Sequence, residues 1–214
     1  MIELETRGHV RILHLDEGEN RYNRGTVDAI HAALDEVAAV DGPVALVTVG
    51  AGKFFSNGLD LAWMGTDEGK ADATFLDDVH RILQRVLHLD MATVAAINGH
   101  AFAGGAMLAV AHDHRVMRED RGYWCIPEVD LGLPLTDIMF ATLDAHLPRQ
   151  TLATASITGQ RYGGPDALAA GIVHEVAAEG AVLERAVEFA ASLAEKDRTV
   201  IAAHKRLLYG EPVR

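Results

Sequence analysis

Glu128 follows Pro127 and lies among Trp124, Ile126, Val129, Leu131 and Leu133. A lone glutamate after a proline is ordinarily a surface acid. Burial in so apolar a neighbourhood would instead raise its pKa and suit it to proton transfer. Two other stretches offer main-chain groups rather than side chains. Within residues 54–61 the pair Asn57-Gly58 predicts a sharp turn, so that an N–H near Leu59 could point into a cleft. Within residues 95–108 an apolar run ends at Asn98-Gly99, and Ala103-Gly104-Gly105 leads into a second apolar run. That pattern predicts a buried strand, a tight turn and a helix whose first turn is almost bare backbone. The unpaired N–H groups of such a helix start favour a negative oxygen; close helix–sheet packing is the competing explanation for its glycines. Two N–H groups from separate loops are what an oxyanion hole needs, and one such donor is commonly worth about 10²–10³ in rate.

Other chemistry-bearing residues carry weaker signals. Gly50-Ala51-Gly52-Lys53 superficially suggests a phosphate loop, but Val47 occupies the first required glycine position and Phe54 replaces the metal-holding Ser/Thr. His112-Asp113-His114 has a spacing that directs two imidazoles apart on a helix end and lacks a third ligand, so no metal site is expected. Cys125 is expected to pack as a buried thiol rather than act as a nucleophile, and His100 to make a structural hydrogen bond. Trp63 and Met64 are candidates for a ligand pocket or for the core. Lys53, Arg21 and Arg24 are candidate partners for anionic groups, with Lys205 and Arg206 behind them. Asp77-Asp78 reads as a solvated helix face.

The elements that must position these groups follow from periodicity. Alternation over residues 2–15 around Arg7-Gly8-His9 predicts a hairpin. Thr26 is placed to cap a helix reaching about residue 40, stopped by Asp41-Gly42-Pro43; residues 44–49 form a strand buried on both faces. A weakly patterned polar segment, 66–72, precedes a helix from Phe75 to about Leu89. Further strands are expected at 93–97, 115–117, 123–126 and 174–177, with Pro127 to Pro134 as a loop. Helices are expected at about 136–145, from Pro148 as first residue to 157, at 165–170, 181–195 and 198–209. Strands alternating with helices indicate an α/β domain.

With 214 residues and 49% hydrophobic content, the chain is most simply one globular domain with a real core. No apolar stretch reaches the roughly 18 residues of a membrane span, and Met1 to Thr6 lacks a signal-peptide pattern. One cysteine excludes an internal disulfide and suits a reducing cytoplasm. A net charge of −12 argues against nucleic acid as a partner.

Four segments, taken in order, resemble the crotonase superfamily of enoyl-CoA hydratases and isomerases. Residues 54–61, FFSNGLDL, resemble F-S-x-G-x-D-L; residues 98–105, NGHAFAGG, resemble N-G-x-A-x-G-G-G; residues 127–132, PEVDLG, match P-E-x-x-L-G. Thr158-Gly159-Gln160 with residues 167–173 resembles T-G…A…A-x-x-x-G-I/L-V, so the likeness runs from residue 1 to about 209. It implies a ββα superhelical spiral over residues 1–178 with a short C-terminal helical region, 179–214, in the same domain unit. It also implies a homotrimer and an acyl-CoA thioester substrate, with no metal and no cofactor beyond the coenzyme A of the substrate. The oxyanion hole would be the N–H groups of Leu59 and Gly104. Asn57, Gly58, Asp60, Leu61, Trp63, Gly105, Met107, Arg24 and Lys53 would contact substrate.

Two departures matter. Hydratases carry a first glutamate where this chain has Met107, and Ala103 stands where a glycine is common. The second glutamate position is kept, as Glu128. One carboxylate is too few for two-glutamate hydration but enough to move a proton from C2 of a 3-enoyl thioester to C4. The pattern is therefore similar to the monofunctional Δ3-Δ2-enoyl-CoA isomerases, and residues 118–130 resemble their plant-type members. Hydration or thioester hydrolysis with Asp60, Asp130 or Asp137 supplying the second carboxylate, and acyl-CoA binding without chemistry, are the alternative readings.

Overall fold

The computed structural model describes residues 1–211. The chain winds as a spiral in which a long strand, a short strand and helical segments recur. The first turn comprises β1 (Ile2–Arg7), β2 (Val10–Leu15), β3 (Arg21–Tyr22) and α1 (Arg24–Ala38). The second comprises β4 (Ala45–Gly50), β5 (Phe54–Ser56), β6 (Gly58–Leu59), α2 (Leu61–Met64), α3 (Asp67–Ala71) and α4 (Phe75–His88). β7 (Ala92–Ile97), β8 (His100–Phe102) and α5 (Gly104–Ala111) form the third. The fourth has β9 (His114–Arg118), β10 (Trp124–Cys125), α6 (Glu128–Leu131), α7 (Asp137–Asp144), α8 (Arg149–Thr158) and α9 (Gly164–Ala169). β11 (Glu175–Ala177), α10 (Val182–Leu193) and α11 (Arg198–Tyr209) close the described chain.

The long strands make one sheet in the order β1-β2-β4-β7-β9-β11, parallel throughout except for the opening hairpin. β7 is buried at all six positions, as a continuously apolar parallel strand must be. One face of the sheet packs on α1, α4 and α5 through residues such as Leu13, Leu46, Ile97 and Leu108. The other is covered by α10, whose Val182, Ala186 and Ala190 meet Val47, Val94 and Val116.

The short strands make a second, three-stranded parallel sheet, β10-β8-β5. β8 is central, with Ser56 opposite Ala101 on one side and Cys125 opposite Phe102 on the other. Because all three strands run the same way, the residues following each emerge together at one edge. Those residues are Gly58-Leu59, Ala103-Gly104 and Pro127-Glu128.

Several element boundaries differ from the sequence expectations for local reasons. The first helix is capped by Asn23, whose side chain accepts from the Thr26 N–H at 3.0 Å, so Thr26 lies inside it. Both residue types cap well, and the earlier one begins the helix. The segment 66–72 is not irregular: Thr66 caps α3, accepting from Gly69 N–H at 3.1 Å. The 127–134 loop contains α6, closed by Gly132 in the left-handed region (φ 67). Pro148 is the cap of α8 rather than its first residue.

Candidate active site

The three loop segments at the end of the small sheet surround a cavity of about 270 Å³. Leu59, Ala103, Gly104 and Glu128 line it, with Met107, Val79, Leu83, Leu131, Leu133 and Met139 as its apolar wall. Asn57, Arg21, Asp130 and Arg161 supply its other polar groups.

The Leu59 N–H is aimed by its ladder. β6 pairs in parallel with β3, Leu59 opposite Tyr22, and the next residue, Asp60, donates to the Tyr22 carbonyl at 2.9 Å. In a parallel ladder the alternate residue directs its own N–H away from the partner strand, so the Leu59 N–H faces away from β3. Gly58, at φ 75, makes the turn. A methyl on its Cα would lie 2.9 Å from the Gly104 nitrogen, so glycine is required for the two loops to approach.

Gly104 is the first residue of α5, where N–H groups have no intrahelical acceptor. The carbonyl of the preceding residue, Ala103, accepts from Met107 N–H at 3.0 Å and so points along the helix. Across the same trans peptide, the Gly104 N–H points out of the helix end. Among the described residues it has no hydrogen-bond acceptor. Gly105 permits the close seating of α5, since a Cβ there would fall 2.2 Å from the Ser56 carbonyl oxygen.

Glu128 opens α6 directly after β10. It is 6% exposed, and its Oε2 has no hydrogen-bond partner among the described residues. Desolvation pushes its pKa up from 4.5 to about 7, opposed weakly by its own backbone N–H. Met107 is fully buried in the cavity wall. Glu128 and Asp130 are the carboxylates that line the cavity.

The remaining sequence candidates separate into rim, scaffold and elsewhere. Asn57 and Leu61 line the cavity. The Asn57 amide donates to Glu19 at 2.9 Å, and Arg21 pairs with the same carboxylate at 2.6 Å, making a polar rim. Asp60 accepts from Trp63 N–H at 3.0 Å as the cap of α2. Trp63 packs on Phe75, ring centroids 4.6 Å apart, and does not line the cavity. Lys53 is exposed away from the cavity, its carbonyl accepting from His100 N–H at 2.9 Å.

Arg24 is occupied by ion pairs within the chain. Its guanidinium is engaged by Asp72 at 2.7 Å, just after α3, and by Asp78 at 2.9 Å on α4, both partly shielded, so in this structure it ties both to α1 and does not line the cavity. Asp78 is for the same reason not a solvated charge, whereas Asp77 is exposed. The His100 ring packs among Phe54, Phe102 and Tyr123, and its buried Nδ1 has no hydrogen-bond partner among the described residues. Cys125 lines the cavity as a protonated thiol: burial pushes its pKa up to about 11, and its Sγ donates to the Gly159 carbonyl at 3.3 Å.

Arg161, which sequence reasoning passed over, stands at the cavity with its guanidinium 5.6 Å from the Phe102 ring centroid. Its place directly after Thr158-Gly159-Gln160 was the available signal. Val79, Leu83 and Met139 come from helix faces that the sequence marks only as apolar.

Residues 8–210 match the family described as enoyl-CoA hydratase/isomerase. Enoyl-CoA delta isomerase 3 of Arabidopsis thaliana is 37% identical over 225 residues, covering 99% of this chain and 93% of that protein. The peroxisomal enoyl-CoA delta isomerase 2 of the same plant is 34% identical over 224 residues, with 99% and 93% coverage. Among solved structures, a Mycobacterium tuberculosis enoyl-CoA isomerase superposes with a TM-score of 0.88 at 29% identity, covering 96% of this chain and 89% of that one.

Proposed function

The chain belongs to the enoyl-CoA hydratase/isomerase family of the crotonase superfamily, and from that premise we propose that it is a Δ3-Δ2-enoyl-CoA isomerase with Glu128 as its single acid/base. The observation that carries this reading is the pairing of an unpartnered, desolvated Glu128 with the apolar Met107 on the wall of one cavity. The relatives named as enoyl-CoA delta isomerases support it.

The reaction balances without a co-reactant. The Glu128 carboxylate removes a proton from C2 of a 3-enoyl thioester, and the electron pair moves onto the thioester oxygen. The N–H groups of Leu59 and Gly104 hold that oxygen as negative charge develops. The protonated Glu128 returns the proton at C4, charge flows back, and the double bond rests between C2 and C3. A pKa near 7 suits a carboxyl group that must both accept and donate a proton. The apolar wall excludes water that would otherwise solvate the carboxylate or add to the alkene. No metal or redox cofactor is needed for proton transfer between two carbons.

The same proposal includes a cytoplasmic homotrimer. A single cysteine supports the reducing compartment. The exposed Phe140 on α7 and Ile157 on α8 support self-association. Among the described residues no helix is long and apolar enough to cross a membrane.

Asp130, the other cavity carboxylate, is what favours hydration as a second reading. Incubation with 2-enoyl- and 3-enoyl-CoA in oxygen-18 water separates the two. Isomerisation converts the 3-enoyl substrate without incorporating solvent oxygen; a 3-hydroxyacyl product carrying the label would overturn the isomerase assignment.

A further inference from the structure

Among the described residues only two non-glycines have positive φ, Asn20 and Ala103. Asn20 is accounted for by its side chain, which accepts from Glu17 N–H at 2.7 Å and donates to the Phe55 carbonyl at 3.1 Å. Ala103 has no polar group to compensate it, yet it holds φ 51 and ψ −124, a conformation suited to glycine. Strain of this kind persists only where the surroundings over-determine it. They do so here: the Ala103 N–H donates to the Cys125 carbonyl at 3.1 Å and its carbonyl accepts from Met107 N–H at 3.0 Å. The backbone on either side is thus fixed to β10 and to α5.

The strained residue lies between the two proposed donors. The peptide that Ala103 ψ orients is the one that carries the Gly104 N–H. A methyl built on Gly58 would come within 2.9 Å of both the Ala103 Cβ and the Gly104 nitrogen. The Ala103 methyl therefore packs beside the Gly58 Cα, one residue before the other donor, Leu59.

We propose that Ala103 is a positioning residue of the oxyanion hole: its methyl spaces the Leu59 and Gly104 peptides, and its strained backbone aims the Gly104 N–H into the cavity. This rests on the isomerase reading above, in which both N–H groups bind the thioester oxygen. Packing alone is the competing role for the methyl, and it makes a different forecast. Glycine adopts the Ala103 conformation without strain, so Ala103→Gly relieves the fold while freeing the peptide to reorient.

The test compares wild type, Ala103→Gly and Ala103→Ser for thermal stability, steady-state isomerisation of a 3-enoyl-CoA, and the infrared carbonyl stretch of bound ¹³C=O butyryl-CoA. The saturated thioester cannot isomerise and reports only polarisation by the hole. For Ala103→Gly the expected results are a Tm raised by about 2–4 °C, a kcat lowered about 10- to 100-fold with KM within about 2-fold, and a smaller carbonyl downshift. Ala103→Ser keeps the spacer and is expected to restore the downshift and most of kcat. Wild-type kcat and downshift in Ala103→Gly would overturn the proposal. So would a loss of stability and activity together with the downshift intact, which is the packing outcome. A wild-type enzyme that polarises the thioester without isomerising 3-enoyl-CoA would overturn the isomerase reading and leave the hole standing; absence of any wild-type downshift would overturn the hole itself.

Discussion

The two ends of α5 are equally buried and oppositely treated. At the C-terminal end the acceptors are taken. The Arg115 guanidinium, 1% exposed, donates to the carbonyls of Val110 at 3.2 Å, His112 at 2.7 Å and Ile172 at 2.6 Å. His112 adds a bond from its ring to the Leu108 carbonyl, and its other ring nitrogen meets Thr48 Oγ1, each at 2.8 Å. A cation at that end also complements the helix dipole. At the N-terminal end the Gly104 N–H has no acceptor among the described residues, Ala103 supplies no side-chain cap, and the nearby Glu128 Oε2 has no partner. Burial is the same at both ends, so the difference lies in what polar groups are left to do. Saturated groups fix the helix; in the isomerisation proposed above, the unsatisfied ones meet charge that develops on the substrate.

Two measurements probe this contrast, the larger effect first. Arg115→Met leaves three buried carbonyls without their donor, and the expected cost is about 3–5 kcal/mol of unfolding free energy, read from denaturant midpoints at constant m. A variant as stable as wild type would show that the C-terminal end does not depend on this saturation.

The unsatisfied end should instead lower stability as pH rises. The folded pKa of Glu128, about 7, lies above its ordinary 4.5, so the folded chain holds a proton that the unfolded chain releases. Its contribution is fully present below about pH 4.5 and is lost as pH climbs through about 7, an effect of about 3 kcal/mol. Unfolding of wild type and Glu128→Gln, compared at pH 5 and pH 8, should show the variant gaining relative stability by about 2.5 kcal/mol, since part of the effect is already lost at pH 5. Parallel pH dependence in the two proteins would mean that Glu128 is not held against ionisation. In the proposed isomerisation the ionised Glu128 is the base, so kcat/KM of wild type should rise through about pH 7.

The sequence made much of the site legible because its signals are local. Asn57-Gly58 and Gly104-Gly105 announce a turn and a close backbone approach, and the apolar neighbours of Glu128 announce burial. What was not legible depends on partners distant in sequence. Arg24 looks like any free surface arginine until Asp72 and Asp78 are brought to it by the fold. Asn23 and Thr26 are both good caps, and only the path of β3 decides between them. Ala103 gives no turn signal at all, because the Cys125 carbonyl that holds its N–H belongs to a distant strand, β10. Arg161 reaches the cavity because its neighbour Tyr162 pairs with Trp124 of β10, a partner distant in sequence.

In the proposed reaction one carboxylate, Glu128, carries the proton from C2 to C4. Glu128→Gln keeps the shape of the cavity and both main-chain donors while removing the base. Turnover of a 3-enoyl-CoA, followed as the conjugated 2-enoyl thioester forms, should fall by at least about 10³-fold, with acyl-CoA affinity within a few-fold of wild type by calorimetry. Undiminished isomerisation by Glu128→Gln would contradict the account.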